Sequence, residues 1–217
     1  MKQRLFTIFS SILFTILFIS AGLCVVLFFR PLYYIEMVRL NIEETSGYSS
    51  DEIKENYNAL IDYCSPFYGK ELNFPSFPSS KEGILHFKEV KQIFYVILIG
   101  GFFSLLLLIP ILIEKKRAEE FHYLHSSALA TAVLPLFILL VCSFDFEKTF
   151  TLFHSIAFRN DYWIFSEKTD PIIKILPQQF FLDCAIFLVC FVLLGSIALE
   201  VCYRIRKKTN MAKISQT

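Results

Sequence analysis

The 217-residue chain is 55% hydrophobic, 17% aromatic and only 19% charged, with a formal net charge of +1, against roughly 25% charged residues in soluble domains. The positive mean hydropathy argues against a soluble globular protein. The near-neutral charge argues against a nucleic-acid partner, because phosphate binding relies on a basic surface.

Four apolar runs, at about 5–29, 93–113, 123–144 and 180–203, are long enough to cross a hydrocarbon core, which takes roughly 20 helical residues. The predicted fold is an all-α integral membrane protein, with residues 1–217 forming a single membrane domain of four transmembrane helices. The first run has a basic start, but its apolar stretch exceeds the roughly 7 to 15 residues of a cleaved signal peptide, so it reads as an anchor. Ala21-Gly22-Leu23-Cys24 places a cysteine after small residues, yet the bulky Leu23 and the apolar run beyond it argue against a lipoprotein-type cleavage site.

Residues 30–92 and 145–179 read as a small extracellular helical cap. The stretch 33–44 has an amphipathic pattern that predicts a helix continuing from the first span. Ser50-Asp51-Glu52-Ile53 opens a second helix to about residue 63, with an acidic first turn behind a serine cap. Asn73-Phe74-Pro75-Ser76-Phe77-Pro78 is not helical, since each proline disfavours helix in the residue before it. Ser79-Ser80-Lys81-Glu82 then restarts a helix with a capping-box spacing. That helix is predicted to run unbroken through His86 into the second span, leaving His86 one to two turns above the outer membrane surface.

Orientation follows from basic residues close to the spans. Lys2, Arg4, Lys115, Lys116, Arg117, Arg204, Arg206, Lys207, Lys208 and Lys213 fall on one side, which is therefore read as the cytoplasm, with both termini inside. The remaining Lys and Arg are diluted through the two longer segments, where acids outnumber them. The predicted location is a cell membrane crossed four times. Of the six cysteines, five sit in or at the ends of apolar runs and only Cys64 lies well outside them, so no disulfide framework or cysteine metal site is indicated.

The four histidines divide by side. His122 and His125 lie near the cytoplasmic end of the third span without a third metal ligand nearby, and no metal site is expected. His86 and His154 lie outside, near headgroup depth. Glu82 and Glu89 share the helical face of His86, so either carboxylate could hold its ring. His154 sits in an aromatic stretch running to Phe165, which taken alone reads first as an interfacial belt. No GxSxG, HExxH, Walker or dinucleotide motif is present, and the spans lack the midplane charges of an ion-coupled carrier.

Asn73-Phe74-Pro75, Ser80, His86-Phe87-Lys88-Glu89-Val90-Lys91, Phe153-His154, Phe158 to Asp161, Trp163-Ile164-Phe165, Asp170-Pro171, Leu176-Pro177 and Phe180-Phe181 together resemble the lipoprotein intramolecular transacylase family. The span order and loop lengths are similar across nearly the whole chain. One departure is Arg159, where a smaller or glycine-rich turn would be expected before Asn160-Asp161. The resemblance implies a bacterial membrane acyltransferase that moves the sn-2 acyl chain of a diacylglyceryl lipoprotein to the amino group of the lipoprotein's own N-terminal cysteine. Its partners would be the lipoprotein substrate and membrane lipid. Donor and acceptor sit on one substrate, so no cofactor is expected. His86 and His154 would supply acid and base, with Glu82 and Glu89 in support. Phe153, Phe158, Asn160, Asp161, Trp163 and Phe165 would contact substrate. Rival readings are a non-enzymatic assembly partner or chaperone, and a lipid hydrolase or acyltransferase of other specificity.

Overall fold

The computed structural model describes residues 2–67 and 69–214. Met1, Tyr68 and residues 215–217 lie outside the described residues, as do the side chains of Lys2 and Lys213 counted above for orientation. Every regular element among the described residues is helical: α1 (Lys2–Phe28), α2 (Pro31–Arg39), α3 (Ile42–Ser46), α4 (Ser50–Cys64), α5 (Lys81–Arg117), α6 (His122–Phe144), α7 (Phe146–Phe158), α8 (Ile172–Ile175) and α9 (Gln178–Ile214). Four of them, α1, α5, α6 and α9, are long and apolar enough to cross a membrane. The chain is an all-helical membrane protein with four spans.

Contacts divide the chain into two units. The first comprises Met1–Leu23, Ile97–Leu140 and Phe187–Thr217. Its core gathers Leu13, Phe14, Leu108, Tyr123, Leu124, Ala128 and Leu199, while Phe102, Val133, Phe137 and Leu194 point outward as exposed apolar side chains, as a lipid-facing surface requires. Lipid tails give no hydrophobic drive for helix association, so spans are joined by close packing and polar contacts. Ser11 donates to Ser127 at 3.2 Å, Thr15 and Thr131 hydroxyls meet at 3.0 Å, and Ser196 donates to the Ala128 carbonyl at 2.7 Å. At Gly101 a β-carbon would collide with Ser20, so glycine there lets the backbone of α5 approach α1. His125 Nδ1 lies 2.7 Å from Glu200, and its ring stacks on Tyr203.

The second unit comprises Cys24–Val96 and Val141–Ile186. The sequence pattern over 33–44 predicts one helix; the chain instead breaks at Leu40 and Asn41, with Asn41 in the left-handed region at φ 54°. Asparagine tolerates that conformation better than most residues, and the break separates α2 from α3, burying Ile42. Tyr33 is also fully buried, stacks on Tyr57 at 3.6 Å and donates to the Ile175 carbonyl at 2.8 Å. The cap of α4 falls one residue earlier than Ser50, because Ser49 accepts the Glu52 N–H. Within α4, buried Asn56 accepts N–H groups from Ser76 and Phe77 and donates to the Ser76 hydroxyl. It thereby satisfies backbone groups in a proline-rich stretch that cannot form helix.

α5 runs unbroken from Lys81, as the sequence predicts, but its cap differs from the predicted box. Ser80, not Ser79, accepts the Gly83 N–H at 2.9 Å. The Ser80 N–H goes to the Asp170 carboxylate at 2.8 Å rather than to a local glutamate. α7 is capped by Asp145, which accepts the Lys148 N–H, and ends on Arg159 in the left-handed region at φ 53°.

Candidate functional site

His86 and His154, 68 residues apart in sequence, meet within the second unit with ring centroids 5.8 Å apart. His86 stands on the second turn of α5, upstream of the apolar run that begins at Ile93. His154 lies near the end of α7. Both are buried, at 5% and 9% exposure, and aromatic rings surround them. The Phe158 ring touches both, at 4.6 Å from His86 and 5.4 Å from His154. Phe165 packs edge-on to His86 at 5.5 Å. Trp163, Phe150 and Phe153 lie at 4.8, 4.1 and 5.3 Å from His154. The four aromatics singled out in the sequence therefore all stand against one or other imidazole. Phe150 joins them; its spacing four residues before His154 on one helical face was the available signal.

The two rings differ in their hydrogen bonding. His154 Nδ1 lies 2.8 Å from the Phe150 carbonyl oxygen. A carbonyl only accepts, so Nδ1 carries the proton and Nε2 is left with its lone pair. His86 Nδ1 is buried and has no hydrogen-bond partner among the described residues. The supporting role expected of Glu82 and Glu89 is thus corrected. Glu82 is exposed, and the Glu89 carboxylate accepts from Asn160 Nδ2 at 2.9 and 3.2 Å. A long-range amide in reach satisfies the carboxylate better than a ring on its own helix that faces the aromatic enclosure.

Asn160 is a loop organiser. Besides Glu89 it donates to the Phe158 carbonyl at 2.9 Å, and its side-chain oxygen accepts the Tyr162 N–H at 3.1 Å. Its main-chain carbonyl accepts the Trp163 indole N–H at 3.0 Å. Asp161 is exposed on the same turn. Residues 160–170 accordingly run along α5 and touch it at three heights: Asp170 at Ser80, Phe165 at His86 and Phe87, and Asn160 at Glu89.

Burial depresses both imidazoles, because the charged form loses hydration that the aromatic surroundings do not replace. His86 is pushed down from 6.5 to about 4, first by desolvation and then by the proximity of His154. His154 is also lowered by burial, opposed by its bond to the Phe150 carbonyl. At neutral pH the site holds two uncharged imidazoles. It can accept a proton at His154 Nε2 and interact with polar substrate atoms at His86, out of bulk water.

A membrane-integral helical protein with two neutral histidines facing each other among aromatics is the class that this fold and site define. The family model for lipoprotein intramolecular transacylase Lit matches residues 7–181. A solved structure of the membrane integral lipoprotein intramolecular transacylase Lit from Bacillus cereus is 33% identical, covers 96% of this chain and 97% of that one, and has a TM-score of 0.93. Two structures of the same Bacillus cereus protein carrying a histidine substitution, to arginine or to alanine, match with TM-scores of 0.86 and 0.87 at 34% and 33% identity. These cover 96% of this chain, and 94% and 95% of theirs. The comparison with curated proteins returned no match. The chain belongs to the lipoprotein intramolecular transacylase family and is a membrane acyltransferase.

Proposed function

We propose that the enzyme converts a diacylglyceryl lipoprotein to its lyso form, moving the sn-2 acyl chain from the glyceryl group to the α-amino group of the lipoprotein's N-terminal cysteine. The observation that carries this reading is the 5.8 Å approach of two buried, uncharged imidazoles. Attack of the amine on the ester carbonyl closes an eight-membered ring through nitrogen, Cα, Cβ, sulfur, two glycerol carbons, oxygen and the carbonyl carbon. Such a ring closes poorly unaided, so holding the substrate folded is a large part of the rate enhancement. Phe153, Phe158, Trp163 and Phe165 offer the apolar surface against which it would fold, with Asn160 and Asp161 at the polar margin.

The proton balance fits two histidines. Starting from the ammonium, nitrogen loses two protons; one ends on the glycerol oxygen and the other passes to water. His154 Nε2, whose lone pair is directed by the Phe150 carbonyl on the other nitrogen, takes the proton of the attacking amine. His86 gives a proton to the departing glycerol oxygen as negative charge develops there and receives in exchange the proton that His154 has taken from the amine, so that its ring ends neutral and the count closes. The enclosure also favours transfer over hydrolysis, since water competes with the amine for the same carbonyl. The clustering of Lys and Arg at one set of span ends supports an orientation with both termini in the cytoplasm and the two histidines at the extracellular face.

Substrate and product are isomers, so tandem mass spectrometry of a lipoprotein N-terminal peptide is the test. Cells expressing this enzyme should yield fragments carrying an acyl group on the cysteine nitrogen, absent without it. An unchanged fragment pattern, or loss of one acyl mass, would overturn the reading, the latter in favour of a hydrolase.

A further inference from the structure

Asp170 is 2% exposed, and each of its carboxylate oxygens accepts a hydrogen bond. One oxygen accepts the Ser80 N–H at 2.8 Å, and the other accepts the Thr169 hydroxyl at 2.7 Å. In an ordinary capping box, the serine or threonine cap accepts the third helical N–H while a glutamate at that third position reaches back to the cap's own N–H. Here Ser80 accepts from position three as usual, but position three is Gly83. The returning carboxylate arrives from Asp170, 90 residues along the chain. A β-carbon at Gly83 would collide with the Asp170 carboxylate and approach Ser80 Oγ. The glycine is thus the vacancy that the distant acid fills, and the acid also lies where the positive end of the helix dipole favours negative charge.

We propose that Asp170 is a positioning residue for the acyl transfer: as the long-range half of the α5 capping box, it fixes the first turn of α5 against the 160–170 loop and so sets where the His86 ring stands. Ser80 and Gly83 lie one to two turns before His86 on the same helix. The loop that ends on Asp170 carries Phe165 against His86 and Trp163 against His154. Releasing this anchor frees both the helix start and the far end of the loop, which shifts the rings without removing any group that touches substrate. The inference rests on the acyl-transfer role of the histidines proposed above.

The test uses the purified full-length enzyme in detergent with a synthetic diacylglyceryl-cysteinyl lipopeptide, measuring kcat and KM separately. Asp170→Ala should lower kcat by about 10- to 100-fold, the scale of a misplaced catalytic group, with KM little changed. Gly83→Glu alone should also lower kcat, because its side chain collides with Asp170. The combination of Asp170→Ala with Gly83→Glu rebuilds a local capping box and should recover kcat above either single variant. Each protein is checked for a cooperative thermal transition, and where Asp170→Ala does not fold, the double variant decides. Wild-type kcat in folded Asp170→Ala, a drop confined to KM, or a folded double variant no better than Gly83→Glu would overturn the proposal. His154→Gln serves as the control for the underlying reading: if it is fully active, the histidine mechanism fails whatever Asp170 does.

Discussion

Asn160 and Glu89, 71 residues apart, are joined by hydrogen bonds of 2.9 and 3.2 Å from one amide to both carboxylate oxygens. The same amide nitrogen holds the Phe158 carbonyl, and Asn160's own main-chain carbonyl holds the Trp163 indole. One side chain therefore ties the turn after α7 to the helix that carries His86.

Replacing Asn160 by Asp sets a carboxylate against Glu89 and removes the donor. The contact is only partly buried, so the lost hydrogen bond costs on the order of 1 kcal/mol, and like charges add repulsion. Asn160→Asp should melt below wild type and turn over at least about 10-fold more slowly, with part of the defect relieved at lower pH as one carboxyl protonates. Unchanged turnover and melting across pH 5 to 8 would show that the clamp does not hold the site.

Trp163 gives a second prediction, because its ring lies against His154 while its N–H anchors the turn. Trp163→Ala should keep the four spans folded, by circular dichroism and size exclusion, and lose about 10-fold or more in turnover. Trp163→Phe, which keeps most of the apolar surface but not the N–H, should fall between. Loss of folded protein in Trp163→Ala would make the tryptophan a structural belt residue and end its assignment as a substrate wall.

The depressed His86 pKa predicts a pH-dependent stability. In the unfolded chain this histidine takes up a proton near 6.5, whereas in the folded protein it resists until about 4. Between those values the unfolded state binds more protons, so stability is full above pH 6.5 and falls as pH drops towards 4. One pKa unit corresponds to about 1.4 kcal/mol, so the melting temperature of wild type in detergent should decline over that window more steeply than that of His86→Gln. Parallel curves for the two proteins would contradict a buried, neutral His86.

Orientation is testable by single cysteines in a background lacking the native thiols. Cysteines placed at Asp51 and at Lys168 should react with an impermeant maleimide in intact cells, and one at Lys208 should not. The reverse pattern would invert the topology and move the histidine pair to the cytoplasmic face.

Hydropathy made the four long helices legible, and the capping serine before Lys81 made it clear that α5 would carry His86 straight into a span. The convergence of His86 and His154 was also readable, since one residue precedes the second span and the other follows the third, which returns the chain to the same surface. Less legible were the contacts that depend on distant partners. The amphipathic pattern over 33–44 gives no sign of the break at Asn41, because the helical period survives it. The capping box was misplaced by one residue because Glu82 offered a local carboxylate, whereas Asp170 supplies the real one. Glu89 shares a helical face with His86 and so read as its partner, but spacing along one helix cannot reveal that Asn160 arrives from the turn after α7 to take it. At Arg159 the sequence departs from a small turn residue, yet the chain adopts φ 53° there regardless, at the modest strain that a non-glycine residue bears in that region.

The most direct measurement is the formation of N-acylated product from a diacylglyceryl lipopeptide by His86→Gln, His154→Gln and the double variant, each verified as folded. Two groups that serve one transition state act as a unit, so their losses do not add. Each single substitution should bring activity close to background, and the double should be no worse than the singles. If either single variant keeps most of its product formation, or if the double falls by the product of two independent partial losses, the two imidazoles do not share one reaction.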